Sequence, residues 1–402
     1  MTDLVADTRP NPRIVVPVLG IGQILAWGST FYLLAVLAPA IVRDTGWTYD
    51  WVVAGVSVGL LVSGLVSPRL GRVIGAHGGR MVLASGAAMI GCGLLLLGTA
   101  QGFAWYIAAW VIIGGGMGAG LYDAAFATAG SIYGKESRNP IASVTLFGGF
   151  ASTVCWPISA LLVEYFGWRG ACFTYAAVYF GLALPMYLLI LPRRSFIVPA
   201  SANAAAPSVR LERHELLLFV VLATVVTIAA AILSMMGNLI LLLLQARGMD
   251  LAAAVALGAL IGPSAVGARI VERFAGHQYH PIWTMIASSV LVALGALLFL
   301  FRFPFLALAV VFYASGNGIG TIAKGTLPLA LFGAARYPAL VGRLGLPVMV
   351  AMAAAPFVGA IAYRLGGADW TLLILSGLAL ANVLLVALLF HLSRGARTPD
   401  GL

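Results

Sequence analysis

Two ionisable residues stand where an apolar chain rarely tolerates them. Asp123 is an acid inside a long apolar run, and Lys324 lies in another, the chain's second lysine being Lys135. Ionisable groups within a membrane are expensive, and by default they suggest function. The pair admits three readings. As a gate, the two would join and part. As a solute site, Lys324 would take an anionic group while Asp123 exchanged a proton. Otherwise each satisfies backbone or hydroxyl groups within its own half. Arg343, about five residues after Pro338, could clamp a carboxylate, because the guanidinium fork suits two oxygens. An interfacial arginine explains it equally. Arg269 is followed by Glu272 and Arg273, which places it at a loop.

Neutral polar and aromatic residues fill out the candidate site. Gln23, Trp27, Ser29, Thr30 and Tyr32 decorate the first apolar run, and Tyr122 and Phe126 flank Asp123. Asn238 and Asn317 are the second-half candidates. Such a set, rich in aromatics and poor in charge, suits a small organic anion or planar metabolite better than a sugar, which wants many paired polar groups.

The elements that position these residues follow from composition. Of 402 residues, 61% are hydrophobic and 9% charged, against roughly 25% charged in a soluble domain. A bilayer can accept that much apolar surface, and a spanning helix needs about 20 apolar residues. Twelve such stretches occur, at about 14-42, 47-67, 80-99, 104-130, 139-163, 168-191, 215-245, 250-268, 281-301, 304-331, 339-363 and 369-392. The first lacks the compact core and cleavage site of a removed signal, so it is expected to be permanent. Asp123 and Lys324 then sit at similar depths, roughly 7 to 9 Å to one side of their helix centres at about 1.5 Å per residue.

A net charge of +10 could suggest nucleic acid, but basic residues collect in cytoplasmic loops. With the N-terminus inside, all but five of the 23 basic residues fall on the inner side. The exceptions are Arg43, Arg169, Arg247, Arg302 and Arg364. Both termini are therefore expected in the cytoplasm, with no nucleic-acid partner. Cys92, Cys155 and Cys172 have neither zinc nor redox spacing and read as small core residues. An enzyme would gather acids, histidines or a nucleophile and base near one face, and this chain scatters them. No enzymatic activity, cofactor or metal is expected.

The chain divides at 193-213, a Pro, Ala and Ser-rich stretch with basic ends, giving bundles at 1-192 and 214-402. The halves repeat. The stretch from Ser67 matches that from Pro263, with Gly71 over Gly267. The stretch from Val111 lies over that from Val310 without a gap, so that Gly134 meets Gly333, and Pro140 then meets Pro338. The run from Gly114 to Gly120 lies in an apolar stretch, where close helix packing accounts for it better than a phosphate loop does.

The segment from Gly71 to Arg80, with Gly71, Arg72, Gly78 and Arg80 in place, resembles the loop motif between the second and third helices of the major facilitator superfamily. That motif's acid falls here at Gly75, and its first basic residue after the second glycine falls at Gly79. The runs from Trp27 to Gly46 and from Gly148 to Gly167 resemble bacterial relatives of the monocarboxylate and oxalate carriers. The resemblance implies an all-α membrane protein of twelve helices in two pseudo-symmetric six-helix bundles. It also implies that helices four and five close against ten and eleven on the inner side, where Asp123 and Lys324 would face one another. The expected function is secondary transport of a small organic solute by alternating access, with an organic anion and proton coupling preferred. Efflux of amphipathic drug-like compounds and uniport or exchange of a vitamin-like metabolite are the alternatives. The expected setting is a bacterial inner membrane, with a monomer whose partners are its solute, protons and lipid.

Overall fold

The computed structural model describes residues 10–133, 137–193, 211–275, 279–332 and 337–395, which are helical almost throughout and contain no strand. The segment 194–210 of the expected central loop and the repeat pair Gly134 and Gly333 lie outside the described residues. Two compact units form: Met1–Asp44 with Val58–Asn203, and Thr45–Ser57 with Ala204–Leu402.

In the first unit, α1 (Pro12–Ala26) starts at Asn11, whose side chain accepts from the Arg13 amide at 2.9 Å, with Pro12 in the first turn. It passes through a π-turn, Trp27–Phe31, into α2 (Leu33–Thr45). Ser29 and Thr30 turn their hydroxyls back onto the Leu25 and Ala26 carbonyls at 2.7 and 2.5 Å, a habit that bends helices. α3 (Tyr49–His77) begins in the second unit and continues in the first. There follow α4 (Arg80–Gly98), α5 (Phe103–Gly120), α6 (Tyr122–Tyr133), α7 (Arg138–Gly149) and α8 (Ala151–Val178). A second π-turn, Tyr179–Ala183, leads to α9 (Leu184–Ile190). The Ser29 hydroxyl and the Tyr179 phenol share a hydrogen bond of 2.9 Å, which ties the two π-turns together.

The second unit holds α10 (Arg213–Gln245), α11 (Leu251–Gly258), α12 (Ile261–Ala275), α13 (Pro281–Leu300), α14 (Leu306–Phe332) and α15 (Tyr337–Gly395). A capping box between Glu212 and Glu215 starts α10. Leu218, Leu222 and Val225 of α10, Leu327 of α14 and Leu389 of α15 join in one apolar core. Large apolar side chains elsewhere stay exposed, among them Leu65, Leu189 and Leu384, as a surface meeting lipid tails does.

Among the described residues, ten helical segments are long and apolar enough to cross a membrane. Two of them, Asn139–Ile190 and Arg343–Ser393, run to 52 and 51 residues, far more than the roughly 20 one crossing needs. Each turns at a glycine in the left-handed region, Gly167 at φ 69° and Gly367 at φ 68°. Each half on either side of such a turn is itself long enough for one crossing.

The two turns are braced by inverted charges. In the first unit, Arg169 after the turn reaches Asp44 at the end of α2 at 3.1 Å and the Ala100 carbonyl at 2.8 Å. The Trp168 indole donates to the same Asp44 carboxylate at 3.0 Å. In the second unit the acid follows the turn: Asp369 receives Arg247, just past the end of α10, and Arg302, both at 2.7 Å. Arg247 also donates to the Phe299 carbonyl at 3.1 Å.

Several expectations are corrected by these elements. The predicted loop from Gly71 is helix: α3 runs through Gly71 and Arg72 to His77, and Gly78 and Gly79 alone connect it to α4. Gly78 takes φ 83°, and a Cβ on Gly79 would overlap the Thr128 side chain of α6. A basic residue has no room there. Arg269, expected at a loop, lies inside α12 with Glu272. Cys155 and Cys172 are buried as expected, but Cys92 is exposed. The glycine run of α5 is a packing surface: a Cβ on Gly114 would stand 2.6 Å from the Gly59 carbonyl, and one on Gly116 2.9 Å from that of Gly86.

Candidate functional site

The fourth predicted span is broken. α5 stops at Gly120, Leu121 is extended at φ −78° and ψ −172°, and α6 restarts at Tyr122. Seven residues from Gly114 to Gly120 include five glycines, each about 1 kcal/mol less favourable in a helix than alanine, so little propensity opposes the break. An unbroken helix would give the Gly120 carbonyl to the Ala124 amide. Here it accepts from the Gln23 side-chain amide of α1 at 2.8 Å. The span predicted at 104–130 is kept as one stretch, Phe103–Tyr133, with a break inside it, and Gln23 ties α1 to the end of α5 there.

The break decides the setting of Asp123. It lies in the first turn of α6, where the helix N-terminus favours an anion by about 0.3–1 kcal/mol, and it is exposed. Beside it, aromatic rings form a front layer. Trp27 lies 5.2 Å from Tyr122 and 6.4 Å from Tyr32 between ring centroids, and Tyr122 stacks on Phe126 at 5.1 Å. All four rings are partly exposed. Behind them Phe31 and Trp156 are fully buried. The Trp156 indole donates to the Tyr32 carbonyl at 3.2 Å, just past the π-turn. Each such aromatic contact contributes about 0.5–1.5 kcal/mol beyond the area it buries.

Two polar atoms in this layer have no hydrogen-bond partner among the described residues. They are Gln23 Oε1, on a side chain that is fully buried, and Trp27 Nε1. An unmet buried polar group costs about 1–3 kcal/mol. Gln23 and Trp27 are four residues apart and so share one face of the helix.

The second unit holds the remaining candidates. Lys324 in α14 and Arg343 in α15 are exposed. Asn238 is buried in α10, its amide donating to the Ser234 carbonyl at 2.9 Å, while the Ser234 hydroxyl reaches the Met352 carbonyl at 2.7 Å. Asn317 is partly buried next to Gly318, whose carbonyl accepts from Arg269 Nε at 3.1 Å. Arg269 thus braces α12 against α14. Of the motif residues, Arg80 opens α4 with a buried Nε that has no hydrogen-bond partner among the described residues.

Asp50 was missed in the sequence because it opens an apolar run, where an acid reads as an ordinary first-turn residue. In the structure it is 2% exposed, and one of its oxygens stands 3.4 Å from Arg364 within the second unit. Tyr49 and Tyr363 flank the pair with ring centroids 6.4 Å apart. Among the described residues, no cluster of three or more histidines, cysteines or acids could hold a metal.

A family model described as the Major Facilitator Superfamily matches residues 19–280. The chain belongs to the major facilitator superfamily. Solved structures of the superfamily's fold cover the chain almost fully. The human organic anion transporter MFSD10 matches at TM-score 0.68 and 16% identity, over 94% of this chain and 100% of that one. A variant of the nucleoside transporter NupG matches at 0.76 and 14%, over 94% and 100%. A bacterial homologue of the human lysosomal transporter Spinster, inward-facing and occupied, matches at 0.73 and 13%, over 98% and 100%. No curated protein matches at significance. At such identities the superfamily's fold is what the likeness carries, and the fold is that of multi-pass membrane transporters.

Proposed function

We propose that the protein is a secondary carrier that moves a small organic anion across a bacterial inner membrane by alternating access, driven by protons. The observation that carries this reading is the break at Leu121, which sets an exposed Asp123 at a helix start beside a partly exposed aromatic layer. An acid there can take and release a proton, and the second unit separately carries Lys324 and Arg343, residue types that suit a carboxylate. The membrane orientation, with both termini inside, rests on the basic residues of the connectors. The aromatic layer with one acid also suits a lipophilic cation, through ring faces and the carboxylate. Uptake by the purified protein in liposomes decides between them. Accumulation of carboxylates under an inward proton gradient supports the anion reading, and transport confined to lipophilic cations overturns it.

A further inference from the structure

We propose that the layer formed by Gln23, Trp27, Tyr122 and Phe126 recognises a planar aromatic acid that carries a hydroxyl or amino group on its ring. This rests on the organic-anion reading above and narrows it. Tyr122 stacks on Phe126 at 5.1 Å, Trp27 lies tilted against Tyr122 at 5.2 Å, and all three rings are partly exposed, so a flat ring can pack against their open faces.

The unmet polar atoms specify the substituents. The Gln23 amide nitrogen donates to the Gly120 carbonyl, which orients the side chain and leaves Oε1 as an acceptor. Trp27 Nε1 only donates. The two are four residues apart on one helix, about 6 Å along its axis. A ring hydroxyl or amine supplies the donor that Gln23 Oε1 needs, and a carboxylate oxygen supplies the acceptor for Trp27 Nε1. An aliphatic acid stacks on no ring and leaves Gln23 Oε1 unmet.

The test is calorimetric titration of the full-length protein in detergent with para-hydroxybenzoate, para-aminobenzoate, benzoate and cyclohexanecarboxylate. One hydrogen bond to a buried acceptor is expected to favour the hydroxy and amino compounds over benzoate by about tenfold, with cyclohexanecarboxylate weakest. Gln23→Leu should erase the preference for the substituted rings while benzoate still binds. Trp27→Phe should weaken all three aromatic acids together. If the Gln23 variant does not fold, the four probes on the unaltered protein still decide. Equal binding of cyclohexanecarboxylate and para-hydroxybenzoate overturns this inference and leaves the organic-anion reading standing. Binding of no carboxylate overturns both.

Discussion

The Gln23 side-chain amide lies 2.8 Å from the Gly120 carbonyl, and through that contact the bent first span holds the broken fourth. The break leaves a backbone acceptor, the Gln23 amide of α1 takes it, and Tyr122 at the restart of the helix lies against Trp27.

Asp123→Asn should abolish proton-driven accumulation while exchange of internal for external solute continues. Asparagine keeps the size and some of the preference for a helix start but cannot carry the proton. Uptake into liposomes with and without a pH gradient measures both. Unchanged gradient-driven uptake removes Asp123 from coupling.

Replacing Lys324 by Gln should raise KM for a carboxylate about tenfold or more, with a smaller change for Lys324→Arg, because the cation and not the aliphatic stem attracts the anion. Identical KM values across the three proteins would place Lys324 outside the solute's path.

Arg364→Ala should lower the melting temperature more than an ordinary surface arginine does, although the guanidinium itself is half exposed. The reason is Asp50, 2% exposed, which would lose its cation and remain as a buried charge at a cost of about 1–3 kcal/mol. Asp50→Asn on that background should recover part of the loss in a detergent thermal melt. No recovery would mean that the two do not act as a pair.

Two arginines share Asp369, and they should differ. Arg247 has a side chain 7% exposed and a second partner in the Phe299 carbonyl, whereas Arg302 is 69% exposed. Arg302→Ala should cost about 0–1 kcal/mol, as exposed pairs do. Arg247→Ala should cost clearly more, since it empties a buried position and strands a carbonyl. Thermal melts of the two variants compare them directly, and equal losses would refute the ranking.

Much of the fold was legible in the chain itself. Runs of about 20 apolar residues between charged connectors can settle only as membrane helices, because every buried backbone group must be satisfied within its own segment. Tertiary structure decided what local pattern cannot express. Hydropathy does not register a break at Leu121, since the apolar run continues across it and the compensating amide comes from Gln23, 97 residues away. Nor does it distinguish Asp123, exposed at a helix start, from Asp50, enclosed beside Arg364 more than three hundred residues later. The apolar period is a property of neighbouring residues, whereas the burial of a charge and the partner of a carbonyl are properties of what the folded chain brings beside them.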